Sequence, residues 1–176
     1  MKLTQALPPA EKGISDPGIS EAANALLGPL KDKKDSSGWE TLKQAAYWPL
    51  FETTLGEAVF RKTIEVPAAW GGKDLVMTLG AIDDYDTTFW NGEAIGTTQG
   101  WNTRREYIVP GRLVKAGKAM IAIRCFNNFG GGGLGGPVDA MYVLPKGESR
   151  LRDGLYDSDY RTDFELGDDP YRYFRW

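Results

Sequence analysis

Three aspartates crowd one short stretch of the chain. Residues 80–96 read GAIDDYDTTFWNGEAIG, with Asp83, Asp84 and Asp86 just ahead of a β-hairpin signal. Extended backbone through 82–90 would place Asp84 and Asp86 on one face, about 7 Å apart at Cα, with Asp83 pointing away. Three chemistries compete for them. Two carboxylates roughly 5–9 Å apart could serve as acid and base in glycoside cleavage, but that mechanism wants them flanking the scissile bond, and a pair on one strand lies to one side of it. Hard carboxylate oxygens could contribute to a calcium site, which takes six to eight such ligands. Arg104, Arg105 or Arg124 could instead hold them as ion pairs, since a guanidinium fork meets a carboxylate through two parallel hydrogen bonds.

A second cluster follows closely. Trp101, Asn102, Arg104, Arg105 and Tyr107 fall within seven residues. An indole offers a flat apolar surface, and planar polar side chains orient a hydroxyl-rich ligand beside it. That combination suits carbohydrate recognition, with Trp101, Asn102, Arg105, Asp84, Asp86 and Tyr107 as the candidate binding residues. Trp101 could equally cap the core from the rim. Trp70 and Trp90 are further platform candidates. One of Phe89 and Trp90 should face inward and the other outward. Trp39 and Trp48 are expected to pin a lead-in strand.

Composition removes other chemistries. The chain of 176 residues contains no histidine, so Ser-His-Asp and Cys-His catalysis and the commonest zinc ligand are missing from it. Its single cysteine, Cys125, has no internal disulfide partner and lies in a strand pattern, as a buried structural thiol would. A net charge of −3 without any basic run argues against nucleic acid. No apolar run approaches the ~20 residues of a membrane-spanning helix. The start, MKLTQALPPAEKG, carries no signal-peptide core.

The elements that must position these residues are strands. In EAVFRKTIEV (57–66), Ala58, Phe60, Ile64 and Val66 alternate with Val59, Arg61, Thr63 and Glu65. Leu75, Met77 and Leu79 share a face, as do Ile121, Ile123 and Cys125. Asn91-Gly92 is a strong two-residue hairpin signal. REYIV and DAMYVL supply further strands. Seven or so short strands with turn signals between them predict an all-β antiparallel β-sandwich or jelly roll, with a barrel as the alternative. One helix turn or two is expected in SEAANALLGPL, with Ser20 as N-cap and Gly28-Pro29 as stop. The glycine-rich FNNFGGGGLGGP (126–137) is either a crossover between sheets or a backbone surface for a ligand. Three regions result: an N-terminal extension and lead-in loop (1–38), the sandwich (39–145), and an acidic, aromatic tail (146–176). The tail is expected to wrap the sandwich and bury Tyr171, Tyr173, Phe174 or Trp176.

Four motifs occur in order: FRKTIEVP, LGAIDDYDTTFWNG, GWNTRREYIVP and KAGKAMIAIR. Together with the upstream DSSGWETLKQAAYWP they resemble the galactose-binding-like jelly-roll module of sialate O-acetylesterases, and the sugar-binding domain of family-two glycoside hydrolases, the β-galactosidase and β-glucuronidase group. The resemblance covers residues ~36–145. Ala119 stands where that family commonly has Asn, and the esterases' hydrolase domain has no counterpart here. The resemblance implies a non-catalytic carbohydrate-binding accessory module in polysaccharide or glycoconjugate degradation, working beside a catalytic hydrolase domain in a periplasmic or extracellular setting. It requires no cofactor and allows a structural calcium ion. The rival expectation is a structural or interaction domain that braces a catalytic partner without touching sugar.

Overall fold

The computed structural model describes residues 2–5, 15–29, 40–41, 55–135 and 141–148. Among these, antiparallel strands form two sheets. The order of the first is β2 (Glu40–Thr41), β1 (Lys2–Gln5), β3 (Gly56–Val66), β8 (Gly117–Asn127), β5 (Tyr85–Trp90) and β6 (Glu93–Gln99). The second runs β10 (Met141–Pro145), β4 (Leu75–Asp83), β7 (Arg104–Val109), and β9 (Gly133–Gly135) pairs with the Asp83 end of β4. Among the described residues both sheets have free edges, so the body is a β-sandwich and not a barrel.

Period-two alternation builds the core. Ala58, Phe60, Ile64 and Val66 of β3 meet Leu75, Met77 and Leu79 of β4 between the sheets, with Ile121, Ile123 and Cys125 of β8 beside them. The β5–β6 hairpin closes through Asn91 and Gly92, both at positive φ (49° and 87°), as a tight turn of mirror-image type requires. Asn91 also ties the turn to β8, its Oδ1 accepting from the Met120 N–H at 2.7 Å.

The outer face of the larger sheet is covered as well. Helix α1 (Glu21–Leu27) begins at Ser20, whose hydroxyl accepts from the Ala23 N–H at 3.0 Å, and stops at Gly28, as the sequence predicts. Seven residues are too few for a helix to stand alone in water. It holds because Ala23 and Leu27 pack on Val59, Phe89, Met120 and Ala122. This cover corrects the expectation for the Phe89–Trp90 pair. They face opposite sides, yet both are buried: Trp90 in the sandwich core, Phe89 beneath α1.

The 1–38 stretch therefore contributes a strand (β1) and this helix to the sandwich. The expectations for Trp39, Trp48 and the aromatic tail fall outside the described residues. Among the described residues no helix is long and apolar enough to cross a membrane.

Candidate functional site

The aspartate stretch is not one strand. β4 ends at Asp83 in one sheet and β5 begins at Tyr85 in the other, so Asp84 is the corner where the chain changes layer, through a cis Asp83–Asp84 peptide bond. Asp84 and Asp86 thus do not stand side by side on one strand face. Asp86 faces inward from β5, and Asp84 sits half-buried at the end of the sandwich.

Asp86 is the centre of a buried polar network. Arg105 reaches it from β7 of the facing sheet, Nε donating to Oδ1 at 2.7 Å, with the two residues 1% and 0% exposed. The Tyr107 hydroxyl donates to the same carboxylate at 2.9 Å, Thr98 Oγ1 lies 2.9 Å from that phenol, and Thr88 Oγ1 donates to Asp86 Oδ2 at 2.9 Å. Buried charges persist only when paired and hydrogen-bonded, and this one is both. Burial still pushes the Asp86 carboxyl above its usual range, against the pull of Arg105, Tyr107 and Thr88. Burial and the Asp86 charge push the Tyr107 phenol upward, which keeps it a neutral donor. Gly96 makes room for that ring: a Cβ there would lie 2.1 Å from Tyr107 Cδ1.

Arg105 spends its other four N–H groups on backbone. Nη1 donates to the carbonyls of Gly100 (2.7 Å) and Thr103, and Nη2 to those of Asp84 (3.1 Å) and Thr98 (3.4 Å). A guanidinium has five donors, and all five are used inside the protein. The result is a turn, residues 100–103, fastened from beneath. Asp84 adds a further tie, its carbonyl accepting from the Gly100 N–H at 2.7 Å.

That turn displays Trp101, which is 59% exposed, with Asn102 exposed beside it. The six candidate residues therefore divide. Trp101 and Asn102 meet solvent, Asp84 is at the boundary, and Asp86, Arg105 and Tyr107 are the scaffold below. Trp101 does not cap the core. The other two platform candidates are interior: Trp90 is fully buried, its Nε1 donating to the Leu113 carbonyl at 3.1 Å, and Trp70 packs into the core from a short 3-10 turn. Cys125 is buried as expected, its thiol donating to the Asp83 carbonyl at 3.2 Å and held protonated by burial first of all. No three His, Cys, Asp or Glu side chains among the described residues gather as a cation site would need.

A residue passed over in the sequence also reaches this end. Phe129, on the loop between β8 and β9, is 58% exposed. The signal for it was a lone aromatic at the head of a glycine run. Asp84 Oδ2 accepts from the Asn128 N–H at 2.9 Å, so one aspartate touches both the Trp101 turn and the Phe129 loop.

No protein-family model matches the chain, and no curated protein matches it. Solved structures of the β-glucuronidase of Ruminococcus gnavus resemble part of it. The ligand-free enzyme aligns at 20% identity and a TM-score of 0.39, covering 42% of this chain and 12% of the enzyme. The complexes with D-glucaro 1,5-lactone (19%) and D-glucuronic acid (20%) align with the same TM-score, over 42% of this chain and 13% of theirs. The chain spans about an eighth of the enzyme's length, and at this level the likeness carries no conclusion about activity.

Proposed function

We propose that this chain is a non-catalytic carbohydrate-binding module. The observation that carries the reading is Trp101, an indole left 59% exposed on a turn whose carbonyls are pinned from inside by Arg105. A large aromatic displayed on a rigid support gains contact area on binding without paying to order itself. The apolar C–H face of a pyranose suits such a ring, and Asn102 and the Asp84 carboxylate at the same end offer hydrogen bonds to its hydroxyls. Asp86, Arg105 and Tyr107 take positioning roles in this reading, holding the turn without touching ligand. The sequence resemblance adds the setting: an accessory domain beside a hydrolase that degrades polysaccharide or glycoconjugate outside the cytoplasm.

One stacked ring and a few solvent-exposed hydrogen bonds correspond to a Kd of about 10 μM to 1 mM. A glycan array followed by calorimetry tests this. Trp101→Ala should weaken the best glycan at least about tenfold, equal to ~1.4 kcal/mol, with the melting temperature retained. Failure of every glycan at millimolar concentration, while a partner hydrolase is retained, would replace the reading with a bracing role.

A further inference from the structure

The loop between β8 and β9 meets the Trp101 end through the Asn128–Asp84 hydrogen bond, but it has no ligand role in the reading above. We propose that Phe129 is a second stacking platform, and that the ligand is an extended, uncharged oligosaccharide running from Trp101 across Asp84 to Phe129. This rests on the carbohydrate reading above and specifies its ligand.

Four large hydrophobic side chains are exposed among the described residues: Ile19, Trp101, Ile108 and Phe129. The two aromatic ones are the most exposed, and both sit next to a residue whose N–H binds Asp84. The Gly100 N–H donates to its carbonyl and the Asn128 N–H to its Oδ2. Tracing the bonds from the Trp101 Cα through Asp84 to the Phe129 Cα gives an upper limit on their separation of about 23 Å, so a chain of roughly four to five sugar residues is long enough to reach both.

The Phe129 loop is built to hold its shape. Asn127, fully buried, accepts from the Phe129 N–H through Oδ1 (3.3 Å) and donates through Nδ2 to the Gly130 carbonyl (3.1 Å). Gly130 takes a positive φ of 68° to allow the turn. Gly132 lies against the Asn127 side chain so closely that a Cβ would stand 2.5 Å from its Cγ. The backbone that carries this exposed ring is thus fixed by a buried amide.

Chemistry between the rings selects the ligand. A protein partner would want a continuous apolar patch, whereas here the two exposed rings are linked through Asp84, with Asn102 exposed beside Trp101. Alternating apolar faces and hydroxyl edges along a glycan chain match that order. The charge at the centre is negative. Arg105, which donates to the Asp84 carbonyl, is sealed inside with all its donors used, and Arg104 alternates onto the other face of β7. An acidic sugar laid over Asp84 would meet a like charge, and a neutral one would not.

Calorimetry with neutral gluco-, galacto- and xylo-oligosaccharides of one to six residues, and with oligogalacturonates of the same lengths, tests the proposal. Affinity in the neutral series should climb until the chain spans both rings and then level off, and the oligogalacturonates should bind at least about tenfold more weakly. Phe129→Ala should lower the affinity for the neutral hexasaccharide about tenfold while leaving the monosaccharide's unaltered. Asp84→Asn, which keeps an acceptor for the Asn128 N–H, should narrow the gap between neutral and acidic chains. A hexasaccharide that binds Phe129→Ala as tightly as the wild type, or that binds no better than its monosaccharide, overturns the second platform and leaves the carbohydrate reading standing. Tighter binding of oligogalacturonates overturns the charge argument. Absence of binding by any glycan, on a wider array as well, removes both readings together.

Discussion

Arg105 and Arg124 are both buried, both charged and both held by carboxylates, yet they do opposite jobs. Arg105 points into the sandwich, spends one N–H on Asp86 and four on backbone carbonyls, and so shapes the turn that displays Trp101. Arg124 points out of the larger sheet and is shared between two acids. Nε donates to Glu57 Oε1 at 2.6 Å, and the two Nη groups donate to Asp16 at 2.5 and 2.7 Å, with the Gly18 carbonyl at 2.6 Å. It therefore fastens the segment ahead of α1 onto the sheet. At the other end of the helix Arg61 donates to the Gly28 carbonyl at 2.6 Å. The difference teaches that a buried guanidinium is a backbone organiser where carbonyls converge on it, and a strap anchor where carboxylates do.

The sharpest way to break this comparison is to remove Arg105. Arg105→Met strands Asp86 in the interior and frees four carbonyls, and should cost about 3–5 kcal/mol in a urea unfolding experiment. Adding Asp86→Asn should recover part of the loss, because the uncompensated charge is gone. A single mutant within about 1 kcal/mol of wild type would mean the network does not hold the fold. Arg124→Met should cost less, about 2–3 kcal/mol, because only Glu57 is left fully buried while Asp16, 21% exposed, turns to water. It should also speed proteolysis within residues 15–29 and spare any glycan binding at Trp101. Loss of that binding in Arg124→Met would show that the two regions are coupled.

Most of the fold was legible because alternation and turn chemistry are local. The Asn91-Gly92 hairpin, the inward rows of β3, β4 and β8, and the Ser20 cap each follow from a few adjacent residues. The layer change at Asp84 was not, because DDYD is polar on both faces and its period continues straight through the corner. The burial of Asp86, Arg105 and Tyr107 was hidden for a different reason. Charged residues read as surface unless a partner is known, and Asp86 and Arg105 come from opposite sheets, 19 positions apart. The ion pair of Asp86 with Arg105 was among the alternatives their types offered, but not its place inside the sandwich. Trp101 could be read either way from sequence, and only the fastening of its turn separates display from capping.

Acid provides the finest test of the Arg124 side of the comparison. Burial pushes the Asp16 carboxyl up, but the Arg124 hydrogen bonds, the Gly18 N–H and the Arg124 charge together hold it below its ordinary value. A carboxylate depressed in the folded state adds stability above its unfolded pKa, about 4, and loses it as pH falls toward the folded value. Asp16→Asn lacks this contribution at every pH. The stability gap between wild type and Asp16→Asn should therefore be level from about pH 5 to 7 and shrink below pH 4, with amide exchange at Ala23 to Leu27 rising first in the mutant. Salt should weaken the effect only slightly, since Glu57 and Arg124 are themselves buried. A gap equal at pH 3 and pH 6 would mean that the apolar contacts of Ala23 and Leu27 hold the strap without help from charge, and that Arg124 anchors the sheet alone.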